Sequence, residues 1–158
     1  MIITTSRKPS SQTRKFCKNL SHSTDSNYIN RGKSSMRDVL LKTLELEEDY
    51  IAIVNEIKGN PSKITFYDSN GNIKIAILIS ANLSNERLHI NTKDLKIKSN
   101  YKKLSILSDI LNLKIDEDLK ENYIHIEKTD EDSNIARINF YNKFGNLSDF
   151  QIFIKKVL

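Results

Sequence analysis

The chain is predicted to be α/β: two similar lobes, each of mixed sheet and helices, related by an internal duplication. Three observations carry that expectation. Short apolar runs alternate with helical periodicity through the first third of the sequence. A hairpin-like segment recurs about half a chain later. All the glycines and prolines fall in five places, and each of those places reads as a turn or loop.

Ile2-Ile3-Thr4-Thr5 reads as a short buried strand. From Ser11 the spacing changes, with Thr13, Phe16, Cys17 and Leu20 at i, i+3, i+4 and i+7, one face of a helix. Ser10 or Ser11 is its natural N-cap, and Arg14, Lys15 and Lys18 fall on the opposite face. Residues 22–27 are polar and loop-like, and Tyr28-Ile29 looks like a second strand. Ser35 caps a second helix, with Asp38 three residues on in a capping-box-like arrangement. Its inward stripe is Met36, Val39, Leu40, Thr43 and Leu44. Glu45, Glu47 and Glu48 end that helix with a charge unfavourable to its dipole, for which the sequence offers no reason. Residues 50–54 read as a third strand. Residues 63–67 and 72–79 then form a hairpin across Asp68-Ser69-Asn70-Gly71.

The duplication rests on matches at nearly constant offset. Residues 63–73 align with 137–147 at an offset of 74, and residues 50–53 with 123–126 at 73. Leu104, Leu107, Ile110 and Leu111 form an apolar stripe like that of residues 36–44. The expectation is one domain over 1–158, with an N-terminal lobe of 1–82 and a C-terminal lobe of 83–158. The second half would lack the first helix and the basic loop at residues 6–10, so the lobes would share a fold and differ in function.

Composition narrows the function. A chain of 158 residues with 38% hydrophobic content can bury a core without a metal or disulfide staple. Cys17 is the single cysteine, which excludes an internal disulfide and fits a reducing compartment. No apolar run reaches a membrane span, and residues 1–7 lack the pattern of a signal peptide, so a soluble cytoplasmic protein is expected. The net charge of +5 is unevenly spread: residues 1–40 carry eight basic side chains and two acidic ones. That asymmetry argues for a polyanionic partner at one end of the molecule.

The candidate site follows from the crossover rule. In a β-α-β-α-β unit, right-handed connections make the strands parallel, so the loops leaving their C-terminal ends share one edge. Those loops contain Ser6, Arg7, Lys8 and Ser10; Asn30, Arg31, Gly32, Lys33 and Ser34; and Lys58 and Asn60. Arg7, Lys8, Arg31, Lys33 and Lys58 would contact phosphates, while Ser6, Ser10, Asn30, Ser34 and Asn60 would donate hydrogen bonds. Arg14, Lys15, Lys18 and Arg37 would extend the patch. Two helix N-termini beside the loops would add free N–H groups that favour an anion.

Other chemistries find no support. Gly32-Lys33-Ser34 ends like a phosphate-binding loop, but Asn27 stands where that motif needs a glycine. His22, His89 and His125 have no metal-ligand spacing, and Cys17 lies on the apolar stripe of the first helix. Asp116-Glu117-Asp118 and Asp130-Glu131-Asp132 fall in polar stretches that read as solvated loops. No catalytic set, cofactor site, metal site or small-molecule substrate site is expected.

The strings Ile3-Thr4-Thr5-Ser6-Arg7-Lys8-Pro9-Ser10, Tyr28-Ile29-Asn30-Arg31-Gly32-Lys33-Ser34 and Lys58-Gly59-Asn60-Pro61 closely resemble the Brix-domain family, in its short archaeal members. The resemblance covers nearly the whole chain, with its specific part in residues 2–67. It implies ribosome biogenesis through binding of ribosomal RNA or its precursor, with ribosomal proteins or other assembly factors as further partners. It also implies two lobes similar to the anticodon-binding domain of class II aminoacyl-tRNA synthetases. The Gly-Pro-Thr element of eukaryotic members is absent after the first hairpin. The rival expectation is a protein-interaction module, marked by an apolar surface patch around Phe144 and Phe150.

Overall fold

In the computed structural model, which describes all of residues 1–158, the alternating apolar runs become the strands of a single mixed sheet. The elements are β1 (Ile2–Thr5), α1 (Ser11–Thr24), β2 (Asn27–Tyr28), α2 (Met36–Glu45), β3 (Tyr50–Ile57), β4 (Asn60–Asp68) and β5 (Ile73–Asn82). There follow β6 (Lys96–Ser99), α3 (Ile106–Leu111), β7 (Tyr123–Lys128), β8 (Ala136–Tyr141) and β9 (Leu147–Val157). The nine strands lie in the order β2-β1-β3-β4-β5-β9-β8-β7-β6. β1 runs parallel to both β2 and β3, as the crossover rule requires.

Two helices sandwich the first half. The expected stripe of α1 is buried at Thr13, Phe16, Cys17 and Leu20. It packs on the face bearing Ile3, Ala52 and Val54, within a core cluster of 26 residues that reaches across both halves. α2 takes the opposite face, where Val39 meets Ile2, Ile51 and Ile53. That row is too short to cover the last turn of α2: Leu44, expected inward, is 57% exposed. The capping box at Ser35 and Asp38 is present. The acidic end of α2 also has its reason, because Glu48 Oε2 lies 2.6 Å from the Met1 ammonium and Oε1 accepts from Asn27 Nδ2.

The second half repeats the strand order of the first. β6-β7-β8-β9 has the same sequence of parallel, antiparallel and antiparallel pairings as β1-β3-β4-β5. β5 and β9 pair antiparallel, so the two arrays fuse into one sheet. The two hairpin turns are alike in detail. Asp68 Oδ1 accepts from the N–H groups of Asn70 and Asn72, and Asn142 Oδ1 accepts from those of Phe144 and Asn146.

Two expectations need correction. With the turns related by 74 residues, Ala52 opposite Phe66 corresponds to Ile124 opposite Phe140. The 73-residue match of residues 50–53 to 123–126 is therefore one residue out of register, and a one-residue slip exchanges the faces of a strand. The core agrees: Ala52, Val54, Ile124 and Ile126 share one cluster.

The second correction concerns the missing helix. Leu104, Leu107 and Ile110 enter the same core as Phe16 and Leu20, so α3 lies on the α1 face and not on that of α2. Beyond α3, Ile115 forms a parallel bridge with Ile97 on the outer side of β6, as β2 does to β1. The helix without a counterpart is α2, because residues 116–122 lead to β7 without one. Helical periodicity reports that a helix exists, not which face it covers.

Phe150 ties these layers together. It is fully buried, edge-on to Phe16 of α1 at 5.6 Å and stacked on Phe140 of β8 at 4.8 Å. Phe150→Ala is expected to cost about 3–5 kcal/mol, read as a lowered urea midpoint at unchanged slope.

Candidate nucleic-acid interface

Parallel pairing of β2, β1 and β3 brings the loops after all three to one edge. β1 ends at Thr5 opposite Val54, and β3 runs on past it to Ile57. At ~3.3 Å per residue the following turn stands about 13 Å farther out. Lys58 and Gly59 occupy that turn with φ of 51° and 78°, the two positive angles of a type I′ connection. The overhang meets the start of α1. Ser10 Oγ donates to the Gly59 carbonyl at 2.6 Å and accepts from the Thr13 N–H at 3.1 Å. Glu56 accepts from the Ser10 N–H at 2.9 Å and from the Thr13 hydroxyl.

Glu56 therefore occupies the place expected for a phosphate at the α1 N-terminus. At α2, Asp38 accepts from the Ser35 N–H at 2.9 Å and does the same. Both helix ends are served by internal carboxylates, and attraction for an anion must come from side-chain cations instead. These are grouped. Arg7, Lys8, Arg14, Arg31 and Lys33 line a concavity of about 730 Å³ with Pro9, Tyr28, Asn30 and Gly32. No carboxylate lines it.

The predicted residues divide within this frame. Arg7, Lys8, Arg14, Asn30 and Lys33 are exposed at the groove. Arg31 is half-buried and bonded internally, Nη1 to the Thr5 carbonyl at 2.9 Å and Nε to the Ser34 carbonyl at 2.8 Å. The Ser34 N–H closes that loop onto the Arg31 carbonyl, with Gly32 at φ 52° between them. The Ser6 N–H extends the ladder to the Val54 carbonyl, and the Ser10 hydroxyl is engaged with Gly59 and Thr13. Lys15 and Asn60 line a different concavity, near Asn82, Gln151 and Lys155 at the junction of β5 and β9. Lys18, Arg37 and Lys58 are exposed outside both.

Relatives by sequence and by structure point the same way. A probable Brix domain-containing ribosomal biogenesis protein of Methanothermobacter thermautotrophicus is 37% identical over 117 residues, covering 74% of this chain and 73% of its own. The chain belongs to the Brix-domain family of ribosome biogenesis proteins. A second such relative, from Methanosarcina mazei, is 41% identical over 86 residues, 54% of this chain and 53% of its own. The crystal structure of Mil, an archaeal Imp4-like protein, superposes over 100% of this chain and 98% of its own, with a TM-score of 0.86 and 30% identity. A probable ribosomal biogenesis protein from Aeropyrum pernix K1 shares the fold over 98% of this chain and 94% of its own, at a TM-score of 0.69 and 20% identity. No family model matches the chain.

In this Brix domain, two features of the edge escape a reading of charge alone. Tyr28 lines the groove as its aromatic wall; its phenol is raised above the ordinary range by burial, with Cys17 and Arg14 close by. Its place in the Tyr28-Ile29 strand, next to a basic loop, is the signal that could have found it. Arg31 is drawn below its usual value, first by burial and then by the like charge of Arg7. It stays protonated near neutrality, with the like charge of Arg7 beside it. Cys17 beneath them is fully buried, its thiol pushed up to about 12, and it serves as a small core residue.

The Glu56 carboxyl is held below the ordinary glutamate range, chiefly by the Thr13 hydroxyl and then by the Ser10 N–H. A depressed folded-state value contributes stability above the unfolded pKa of about 4.3, and that contribution is lost as pH falls through the native value. Glu56→Gln should flatten the acid limb of a stability-versus-pH curve measured by chemical denaturation. An unchanged limb would remove Glu56 from the helix cap.

Proposed function

We propose that this Brix domain is a non-enzymatic RNA-binding assembly factor, which holds ribosomal RNA or its precursor in the groove between the loops after β1 and β2. The carrying observation is the set of five cations, Arg7, Lys8, Arg14, Arg31 and Lys33, around one concavity lined by no carboxylate. Such a groove suits the ribose-phosphate backbone, so shape and position would dominate over base identity there. Tyr28 adds a plane on which one exposed base could rest. The relatives' names supply the process, ribosome biogenesis. A cytoplasmic location goes with that role, and pre-ribosomal proteins are the natural further partners.

We also infer that lobes 1–82 and 83–158 arose by internal duplication. The support is the repeated strand order and the matching turns at Asp68 and Asn142. The likeness of each lobe to a class II synthetase anticodon-binding domain is what the family resemblance implies.

A protein-docking role is the second reading. Phe150 is buried and cannot serve it, while Phe144 is exposed beside His89. The apolar surface that favours this reading is on α2, where Leu41 and Leu44 are exposed, and at Leu46 just beyond it. Complexes that survive nuclease would favour it.

If about five phosphates are neutralised, log affinity for a structured ribosomal RNA should fall with log salt at a slope of roughly −3.5 to −4.5. Arg7→Ala with Lys33→Ala should lower that slope by about 1.4 to 1.8 and leave the melting temperature in place. A salt-independent affinity contradicts the proposal. Arg31→Ala is a poorer probe, because it also removes the bonds to Thr5 and Ser34.

A further inference from the structure

Where α2 covers the sheet, the strands beneath present an aliphatic row, Ile2, Ile51 and Ile53. The second half has no helix on the corresponding face. The side chains there differ in kind, and cross-strand pairing sets them in rows. In one row the rings of Tyr123 and Tyr141 stack with centroids 4.5 Å apart and planes 6° from parallel. In the next, Gln151 Nε2 donates to Asn139 Oδ1 at 2.9 Å, and Asn82 Nδ2 donates to Gln151 Oε1 at 3.4 Å. His125 pairs with Asn139 across the strands. In the third, the Arg137 guanidinium lies 5.9 Å from the centre of the Phe153 ring.

We propose that this open face of β6–β9 is a second RNA surface, which takes an unpaired strand by stacking its bases on Tyr123, Tyr141 and Phe153. The inference rests on the RNA-binding reading of the loop edge and adds a different mode of recognition to it. A partner helix would need aliphatic rows like those under α2, and these strands do not supply them. Aromatic planes suit bases, and side-chain amides carry the donors and acceptors that base edges require. Charge on this face is mixed, so the aromatic planes and amides carry the inference. Lys96 and Lys98 of β6 lie in register with Tyr123 and His125, and Lys63 and Lys156 flank Leu78 on the same side. Acidic side chains on or against it are Glu127 and Asp149 of the strands, Glu117 near His125, Asp116, which pairs with Lys96 at 3.6 Å, and Glu131, which pairs with Arg137. Burial draws the His125 imidazole below its ordinary value, so at neutral pH it offers one donor and one acceptor. The groove would hold the backbone of the RNA, and this face would present planes to its bases.

The test uses the full chain with two probes: an eight-nucleotide single-stranded RNA containing 5-bromouridine, and an RNA hairpin. Irradiation of the wild type with the short strand should crosslink Tyr123, Tyr141 or Phe153, mapped by mass spectrometry. In anisotropy titrations, Tyr123→Leu with Phe153→Leu should lose roughly tenfold or more in affinity for the single strand. The same variant should keep its affinity for the hairpin held by Arg7 and Lys33. Unchanged single-strand affinity in the variant, or crosslinks confined to other segments, overturns the proposal while leaving the loop-edge reading intact. If the wild type binds neither probe, both readings fall. Self-association that the variant abolishes, with no crosslink to RNA, would assign the face to a second copy of the chain. Because the crosslinks are mapped on the wild type, the proposal stays falsifiable even if the variant folds poorly.

Discussion

β1 sets the plan of the molecule. Its four residues are each 0% exposed, covered by α1 on one side and α2 on the other, and it is parallel to both neighbours. A parallel pair cannot be closed by a tight turn, so the chain must cross the sheet between β1 and β2 and again between β2 and β3. With β2 and β3 on opposite sides of β1, the two crossovers run in opposite directions, and their fixed hand puts one helix on each face. The same constraint brings three loops to one edge. Clustering of basic residues far apart in the chain is thus a consequence of strand direction, and needs no contact among the loops to produce it.

Much of this was legible before any coordinates. The strand at residues 2–5, the stripe of Thr13, Phe16, Cys17 and Leu20, and the box at Ser35 and Asp38 are local patterns, and each appears where it was expected. The failures concern longer range. A 73-residue match looked as good as a 74-residue one because the residues around Ile51 and Ile124 are alike in type, whereas only pairing with Phe66 and Phe140 fixes which face they take. The partner of the Glu48 carboxylate is likewise 47 residues away, at Met1. A window read along the chain does not see it.

The candidate site was legible as a charge pattern and less so as a set of roles. Arg7, Lys8, Arg31 and Lys33 do converge. The roles of Ser10 and Arg31 were hidden because they depend on partners brought in by the sheet: Gly59 and Glu56 for one, Thr5 for the other. Glu56 itself gave no signal, since a glutamate near a strand end is ordinary until a helix start is set beside it. Asn60 is expected among the loops and Lys15 in the patch that extends them, but both line another concavity.

The way Arg31 is held limits how this loop can vary. Its Nε and Nη1 reach two carbonyls on different segments, and that fork is planar and rigid. A lysine carries the same charge but only one nitrogen at the end of a flexible stem, so it cannot bridge Thr5 and Ser34 together. Arg7 makes no such bridge, and its guanidinium stands exposed at the groove. Drift between the two basic residue types is therefore tolerable at position 7 and costly at position 31, where the guanidinium acts as a rivet between the β1 terminus and the loop beside it.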